Sequence, residues 1–219
     1  MGSEKPIYPE YDIEAIIANH LITVEEKTPK LKEIYGDDFN SFFYRPGVDK
    51  FIKLEVLPFL ALPEQYNGFL DHDHWLKKHP FNFPGPFYTG ESDTCGTGEA
   101  QAPGNVMYDS YYCEYIFKQP KSFAELLCVF DAAAVEVFDS YSCNGNNYWT
   151  YDKCKEWWSN KSSLIARLND PEVKRVNGKR IQLYINYLNS EAESDLKRYC
   201  FFLENSYYPE NANLALPDL

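Results

Sequence analysis

An α+β fold, rich in helix and built around a small antiparallel sheet or hairpin, is what this 219-residue sequence predicts. Three observations carry the prediction. Long segments towards both ends place apolar residues three and four positions apart, the period of a helix with one buried face. Two short strand-like runs, Val106–Tyr108 and residues 112–117, flank Asp109 and Ser110 as the arms of a hairpin flank its turn. Between residues 62 and 103 Pro, Gly, Asn and Asp are dense, yet Trp75, Phe81, Phe83, Phe87 and Tyr88 lie among them, so the region is irregular but packed. With 44% hydrophobic and 25% charged residues the chain reads as a single domain over residues 1–219. Its parts are a helical one at about 1–60, an irregular and hairpin one at about 61–120, and a helical one at about 121–205.

Taken in order, residues 12–35 put Ile13, Ile16, Ile17 and Leu21 on one helical face, and Pro29 is expected to divide them from a second short helix ending near Gly36. The next segment reads two ways: Phe51, Leu54 and Leu57 suit a helical turn, while FIKLEV alternates like a strand. After the hairpin, closed by Pro120, Ser122 and Glu125 form a capping box, the hydroxyl bonding the N3 amide and the carboxylate reaching back to the cap amide. Phe123, Leu126, Leu127, Phe130, Ala133, Ala134, Val137 and Phe138 follow as one core-facing stripe. Residues 139–147 form an Asn- and Gly-rich turn. Thr150 caps the next helix, with Asp152 at its positive end and Tyr151, Cys154 and Trp158 on one face. Asp170 as cap and Pro171 at the first position start a further one. Ile181, Tyr184, Ile185 and Leu188 make a stripe, and Ser190 with Glu193 repeats the capping box before Leu196, Tyr199, Cys200 and Leu203. The tail NANLALPDL is ordered if it docks.

A formal charge of −12 argues against a nucleic-acid backbone as partner, since binding one needs a positive footprint to release counterions. A cationic partner is the better match. The acidity is uneven: residues 85–117 carry Glu91, Asp93, Glu99, Asp109 and Glu114 and no Lys or Arg. The chain also holds 18 Tyr, 15 Phe and 4 Trp, and Tyr brings contact area with a polar tip and little rotamer entropy to lose. The opening MGSEKPIYPEYD has neither the basic nor the apolar region of a secretory signal, and no apolar run is long enough for a membrane span, so a cytoplasmic protein without membrane attachment is expected. Six cysteines spread through such a chain favour free thiols.

The unusual stretch GPFYTGESDTCGTGEAQAPGNV and its neighbours offer three chemistries. Cys95, flanked by glycine, suits a nucleophile if a base meets it, but nothing in the sequence brings His20, His72, His74 or His79 to it. DHDHWLKKH offers His72, His74 and His79 with Asp71 or Asp73 as metal ligands, yet His79 lies beyond a Lys pair and no recognised metal spacing is present. CGTGEAQAPG exposes amides suited to phosphate, but no Lys and hydroxyl follow and Glu91, Asp93 and Glu99 repel an anion. The glycines are better explained as turn formers, with Asp93 and Thr94 bonding local backbone. KRVNGKR, the one basic cluster, surrounds an Asn-Gly turn and reads as a solvated helix junction.

The segments GPFYTGESDTCGTG, APGNVMYD, YIFKQPKSFAEL and WTYDKCKEWW, in that order over residues 85–158, resemble bacterial immunity-type proteins that accompany polymorphic toxin systems. The resemblance implies neutralisation of a cognate toxin domain, such as a nuclease with a basic active face, by direct binding without catalysis, cofactor or metal. It assigns no catalytic residue, and the cysteine spacing gives no support to an iron–sulfur cluster. On this reading residues 88–99 and the hairpin tip supply an anionic rim and aromatic anchors: Glu91, Asp93, Glu99, Asp109, Tyr111 and Tyr112, with residues 144–149 extending the surface. The competing expectation is a cysteine- or metal-dependent hydrolase.

Overall fold

A computed structural model of the chain describes residues 24–62, 68–209 and 214–219. The expected stripe from Ile13 to Leu21, and His20, lie outside these residues. Helix α1 (Val24–Tyr35) contains Pro29 rather than stopping at it. Proline removes one intrahelical bond, but Leu31, fully buried against the core, holds the helix across the gap. Helix α2 (Phe39–Phe43) is capped by Asp38, whose Oδ1 accepts from Ser41 N at 3.1 Å. The ambiguous segment is helical throughout: α3 (Val48–Phe51), a π turn (Ile52–Val56) and α4 (Leu57–Leu60). The widened turn stands directly before Pro58, which has no N–H to give the preceding turn.

The irregular part follows, with a 3₁₀ turn at Trp75–Lys77, strand β1 (Tyr88–Thr89) and the short helix α5 (Gly98–Gln101). Strands β2 (Val106–Tyr108) and β3 (Glu114–Ile116) form the expected antiparallel hairpin in the register Met107 opposite Tyr115. Helix α6 (Phe123–Val135) leads to strand β4 (Tyr141–Ser142), which pairs antiparallel with β1. The remainder is α7 (Tyr151–Ser159), α8 (Lys161–Leu168), α9 (Pro171–Asn177), α10 (Ile181–Asn189) and α11 (Ala192–Asn205). This is the helix-rich α+β architecture with small antiparallel sheets that the sequence predicts.

The hairpin is buried on both faces, which explains how so little strand organises so many helices. Side chains alternate across a strand. Val106 and Ile116 therefore enter one core, with Leu31, Phe42, Phe87, Phe123 and Phe130, while Met107, Tyr115 and Phe117 enter a second, with Trp149, Leu168, Tyr184, Leu196 and Tyr199. Helix α6 packs on α1 and α5 in the first layer; α10 packs on α8 and α11 in the second.

Strand ladders this short leave buried backbone groups unpaired, and an unpaired buried amide costs about 1–3 kcal/mol. Side-chain amides take the place of missing strands. Asn82, fully buried, accepts from Thr89 N at 3.2 Å and Ile116 N at 2.8 Å, and donates to the Thr89 carbonyl at 2.8 Å. Gln119 accepts from Phe87 N at 3.1 Å and donates to the carbonyls of Phe87 and Phe83 at 2.8 and 3.0 Å. Asn177 accepts from Tyr108 N at 3.0 Å and donates to the Tyr108 carbonyl at 2.7 Å, fastening α9 to the edge of β2. Backbone also approaches backbone: a Cβ on Gly145 would lie 2.1 Å from the Gly85 carbonyl oxygen, so no other residue fits there.

Several local expectations meet their caps. Ser122 Oγ accepts from Glu125 N at 3.2 Å, Thr150 Oγ1 from Lys153 N at 3.3 Å and Asp170 Oδ1 from Glu172 N at 2.9 Å. Others differ. The Glu125 carboxylate receives the Lys121 amide at 2.7 Å rather than that of Ser122. Ser190 turns back to the Asn186 carbonyl at 2.7 Å and Glu193 pairs with Lys197 at 2.9 Å, so α11 starts from Glu191 without a side-chain cap. The stripe on α6 ends before Val137 and Phe138, which are 70% and 66% exposed, because Glu136 leaves helical geometry to bind two amides of the neighbouring loops.

Candidate functional site at the hairpin tip

The turn joining β2 and β3 is organised by one carboxylate. Asp109 Oδ1 accepts from Tyr111 N at 2.8 Å and Cys113 N at 3.0 Å, and its Oδ2 faces His79 Nε2 at 3.3 Å. Burial pushes the Asp109 carboxyl up, but these hydrogen bonds outweigh it and hold the group below its usual range. His79 Nδ1 accepts from Phe81 N at 3.1 Å, which places the ring proton on Nε2, towards Asp109. Both nitrogens of His79 are thereby engaged, and its ring stacks on Tyr115 with centroids 5.2 Å apart. Tyr111 projects from the tip, 76% exposed; Tyr112, 39% exposed, has a left-handed backbone with φ of 67°. Between the tip and α9 lies a cleft of about 410 Å³ lined by Phe81, Asp109, Tyr111, Arg167, Asp170 and Glu172 among others. Its carboxylates outnumber its one guanidinium.

Of the residues expected to bind a partner, Asp109 and Tyr111 line this cleft and Tyr112 stands beside it. Asp93 does not belong to the surface. It is 2% exposed, and its carboxylate accepts from Cys95 N at 2.7 Å and Val137 N at 3.1 Å, pinning two loops together. Glu99 pairs with Arg180, brought from outside the acidic stretch, and Glu91 pairs with Lys77 at 2.8 Å on the surface. The rim is therefore less anionic than its sequence, because the fold supplies cations that the local stretch lacks. Residues 144–149 also lie elsewhere: Tyr148 stacks on Trp75 with centroids 4.8 Å apart, and Trp149 is buried in the second core.

The glycine-rich loop is a scaffold whose amides are taken by two acids and a tyrosine hydroxyl. Asp93 N donates to Glu136 Oε1 at 2.7 Å, Gly98 N to Glu114 Oε1 at 2.8 Å, and Glu99 N to the Tyr108 hydroxyl at 2.9 Å. A Cβ on Gly98 would meet the Glu114 carboxylate at 2.4 Å, which fixes why glycine stands there. Glu114 is fully buried, and burial pushes its carboxyl up to about 7 against the hydrogen bonds from Tyr141 and Gly98, with Asp93 and Glu136 adding repulsion. Sequence reasoning missed Glu114 as a structural centre. Its only signal was an acid inside a strand whose neighbours are apolar.

The same acids govern Cys95. Its thiol is exposed, but the negative charge of Asp93 beside it raises its pKa, with burial, Glu114 and Glu136 adding to the effect, so the thiolate is disfavoured. His72 Nδ1 pairs with Asp139, whose carbonyl meets His74 Nε2 at 2.7 Å, and His79 is committed to Asp109; none of these three bonds Cys95. Among the described residues no three His, Cys, Asp or Glu side chains are grouped to hold a metal ion, and no helix is long and apolar enough to cross a membrane. No protein-family model, no curated protein and no solved structure matches this chain.

Proposed function

We propose that this protein is an immunity-type inhibitor that neutralises a cationic bacterial toxin domain by direct stoichiometric binding, with the hairpin tip as the contact face. The observation that carries the reading is the acidic cleft beside Tyr111: a basic side chain of the partner enters between Asp109, Asp170 and Glu172, while Tyr111 and Tyr112 cover it from water. The net charge of −12 speeds encounter with a positive surface. Tyr112 supports the reading through its backbone, since a left-handed conformation costs a non-glycine residue about 1 kcal/mol or more that glycine would avoid, and such strain persists where the side chain is needed. Val137 and Phe138, exposed on the loop tied to Asp93, are further apolar contact area near the acidic loop. Asp93 itself acts as a brace and not as a contact.

Inhibition by occupancy needs no bond-making group, in keeping with a Cys95 thiol held in its protonated form. The test is co-expression with the product of the adjacent reading frame, read as growth and as a purified complex. Wild-type protein restores growth and co-purifies one to one, and a folded Tyr111→Ala/Tyr112→Ala variant does neither. Equal protection by that variant, or no complex with wild type, would overturn the proposal.

A further inference from the structure

Behind Arg167, on the side away from the hairpin tip, a second cleft of about 530 Å³ is built from Trp75, Trp149 and Trp157 with Lys78, Lys153 and Arg167; Glu156 is its one acid. In a chain of net charge −12, this is a local excess of positive charge. Lys78 is one of its lining cations. Its ammonium sits 4.8 Å from the centroid of the Trp149 ring and 5.4 Å from that of Trp75. Among the described residues no carboxylate or carbonyl accepts from it. Desolvation of the half-buried side chain lowers its pKa to about 8, with no carboxylate beside it to offset the effect. The neighbouring Lys153 is anchored on the Tyr148 carbonyl at 2.8 Å with its ammonium over the Trp75 ring, and Arg167 lies over Phe81 at 4.4 Å. The same wall holds a second unmet donor, because Trp149 is only 6% exposed and its indole N–H has no acceptor.

We infer that this cleft binds a small organic anion, a carboxylate or phosphate attached to a flat apolar body. The anion pairs with the Lys78 ammonium, Lys153 and Arg167 flank it, and the body lies against the Trp149 and Trp157 side of the cleft. A bare inorganic anion leaves the indole walls uncovered, and a neutral ring leaves Lys78 without its counter-ion, so both halves of the ligand are needed. A basic protein surface is a poor occupant, since three cations face it. The inference is independent of the toxin-binding reading and uses none of the hairpin contacts.

The test is an NMR titration of the indole N–H signals with four probes: phenyl phosphate, benzoate, benzyl alcohol and inorganic phosphate. Phenyl phosphate or benzoate is expected to shift the Trp149 and Trp157 signals saturably, the tighter of the two naming the anion, while benzyl alcohol and inorganic phosphate bind at least about tenfold more weakly. Lys78→Met keeps the aliphatic stem and removes the unpaired charge, so it folds, and it is expected to weaken the better probe about tenfold or more; Arg167→Gln, on the exposed wall, weakens it less. Absence of saturable shifts with both aromatic anions, or equal affinity for Lys78→Met, would overturn the inference. Benzyl alcohol binding as tightly as the anions would overturn it as well.

Discussion

The two clefts that share Arg167 as a wall are made from opposite materials. On the hairpin side the half-buried Asp109 and the exposed Asp170 and Glu172 lie beside Tyr111; on the far side Lys78, Lys153 and three indoles form the walls. In the acidic cleft the carboxylates are already stabilised, Asp109 by two backbone amides and His79, Asp170 and Glu172 by cap and helix-surface bonds. In the basic cleft Lys78 meets only indole rings and has no counter-ion among the described residues. A surface made for a charged macromolecule can keep its charges hydrated and use them at long range, whereas a small-ligand site gains by keeping one charge desolvated until its counter-ion arrives.

The largest effect that separates the two concerns partner binding. Tyr111→Ala/Tyr112→Ala is expected to weaken the complex with the toxin domain by about 4 kcal/mol, roughly a thousandfold, as removal of two aromatic anchors does. Lys78→Met leaves it unchanged. Calorimetric titration of each variant checks both, and a loss of affinity in Lys78→Met would join clefts that are held here to be separate.

Under the glycine-rich loop the buried Glu114 sets a pH dependence. Glu114 has a folded pKa of about 7 against an ordinary 4.5, so the folded chain holds this proton more tightly than the unfolded one. The stability it contributes is whole below about 4.5 and is lost as pH rises through 7. The loss is about 3 kcal/mol at 1.4 kcal/mol per pKa unit. Asp93, Glu136 and Tyr141 face the same carboxyl, and Glu114→Gln, which mimics the protonated acid, is expected to flatten this part of the profile in urea unfolding between pH 4.5 and 7. An identical profile in the variant would remove Glu114 as its source.

Asn177→Ala cuts the link between α9, which forms one wall of the acidic cleft, and β2. Two buried backbone groups of Tyr108 lose their partner, at about 2 kcal/mol in all, and hydrogen exchange at Tyr108 N should quicken selectively. Across Arg167 the sign reverses: Lys78→Met is expected to gain about 1 kcal/mol at pH 7, because a half-buried charge without a counter-ion is removed. The gain should shrink as pH rises from about 8 through 10.5, above which wild-type Lys78 is neutral in both states. Smallest of all, Cys95 should alkylate a few-fold more slowly at pH 8 than an isolated cysteine despite its exposure, since the nearby acids disfavour the thiolate. Rapid alkylation would revive a nucleophilic role.

Much of the frame was legible. Ser122, Thr150 and Asp170 announced their helices because a cap is a local device, and the hairpin was visible as two short runs around Asp109. Pro29 and the pair Val137 and Phe138 misled, since burial of Leu31 and the outward turn at Glu136 are decided by distant neighbours. The site was legible only in part. Tyr111 stood out by residue type and turn position, but the acidic stretch did not reveal that Asp93 would be buried or that Arg180 and Lys77 would arrive to pair Glu99 and Glu91. Trp75 with Lys78, Trp149 and Arg167 come from three separated segments, so no local pattern marks the cleft they form.

The central claim is that the hairpin tip holds a positively charged protein through its rings and carboxylates. Its most direct measurement is the dissociation constant of the complex with the adjacent-frame polypeptide at low and high salt, for wild type and for Tyr111→Ala/Glu172→Gln. Wild-type affinity that falls with salt, together with a loss of about a hundredfold and a shallower salt dependence in the variant, is the predicted result. Undiminished affinity in the variant, or affinity indifferent to salt, would contradict it.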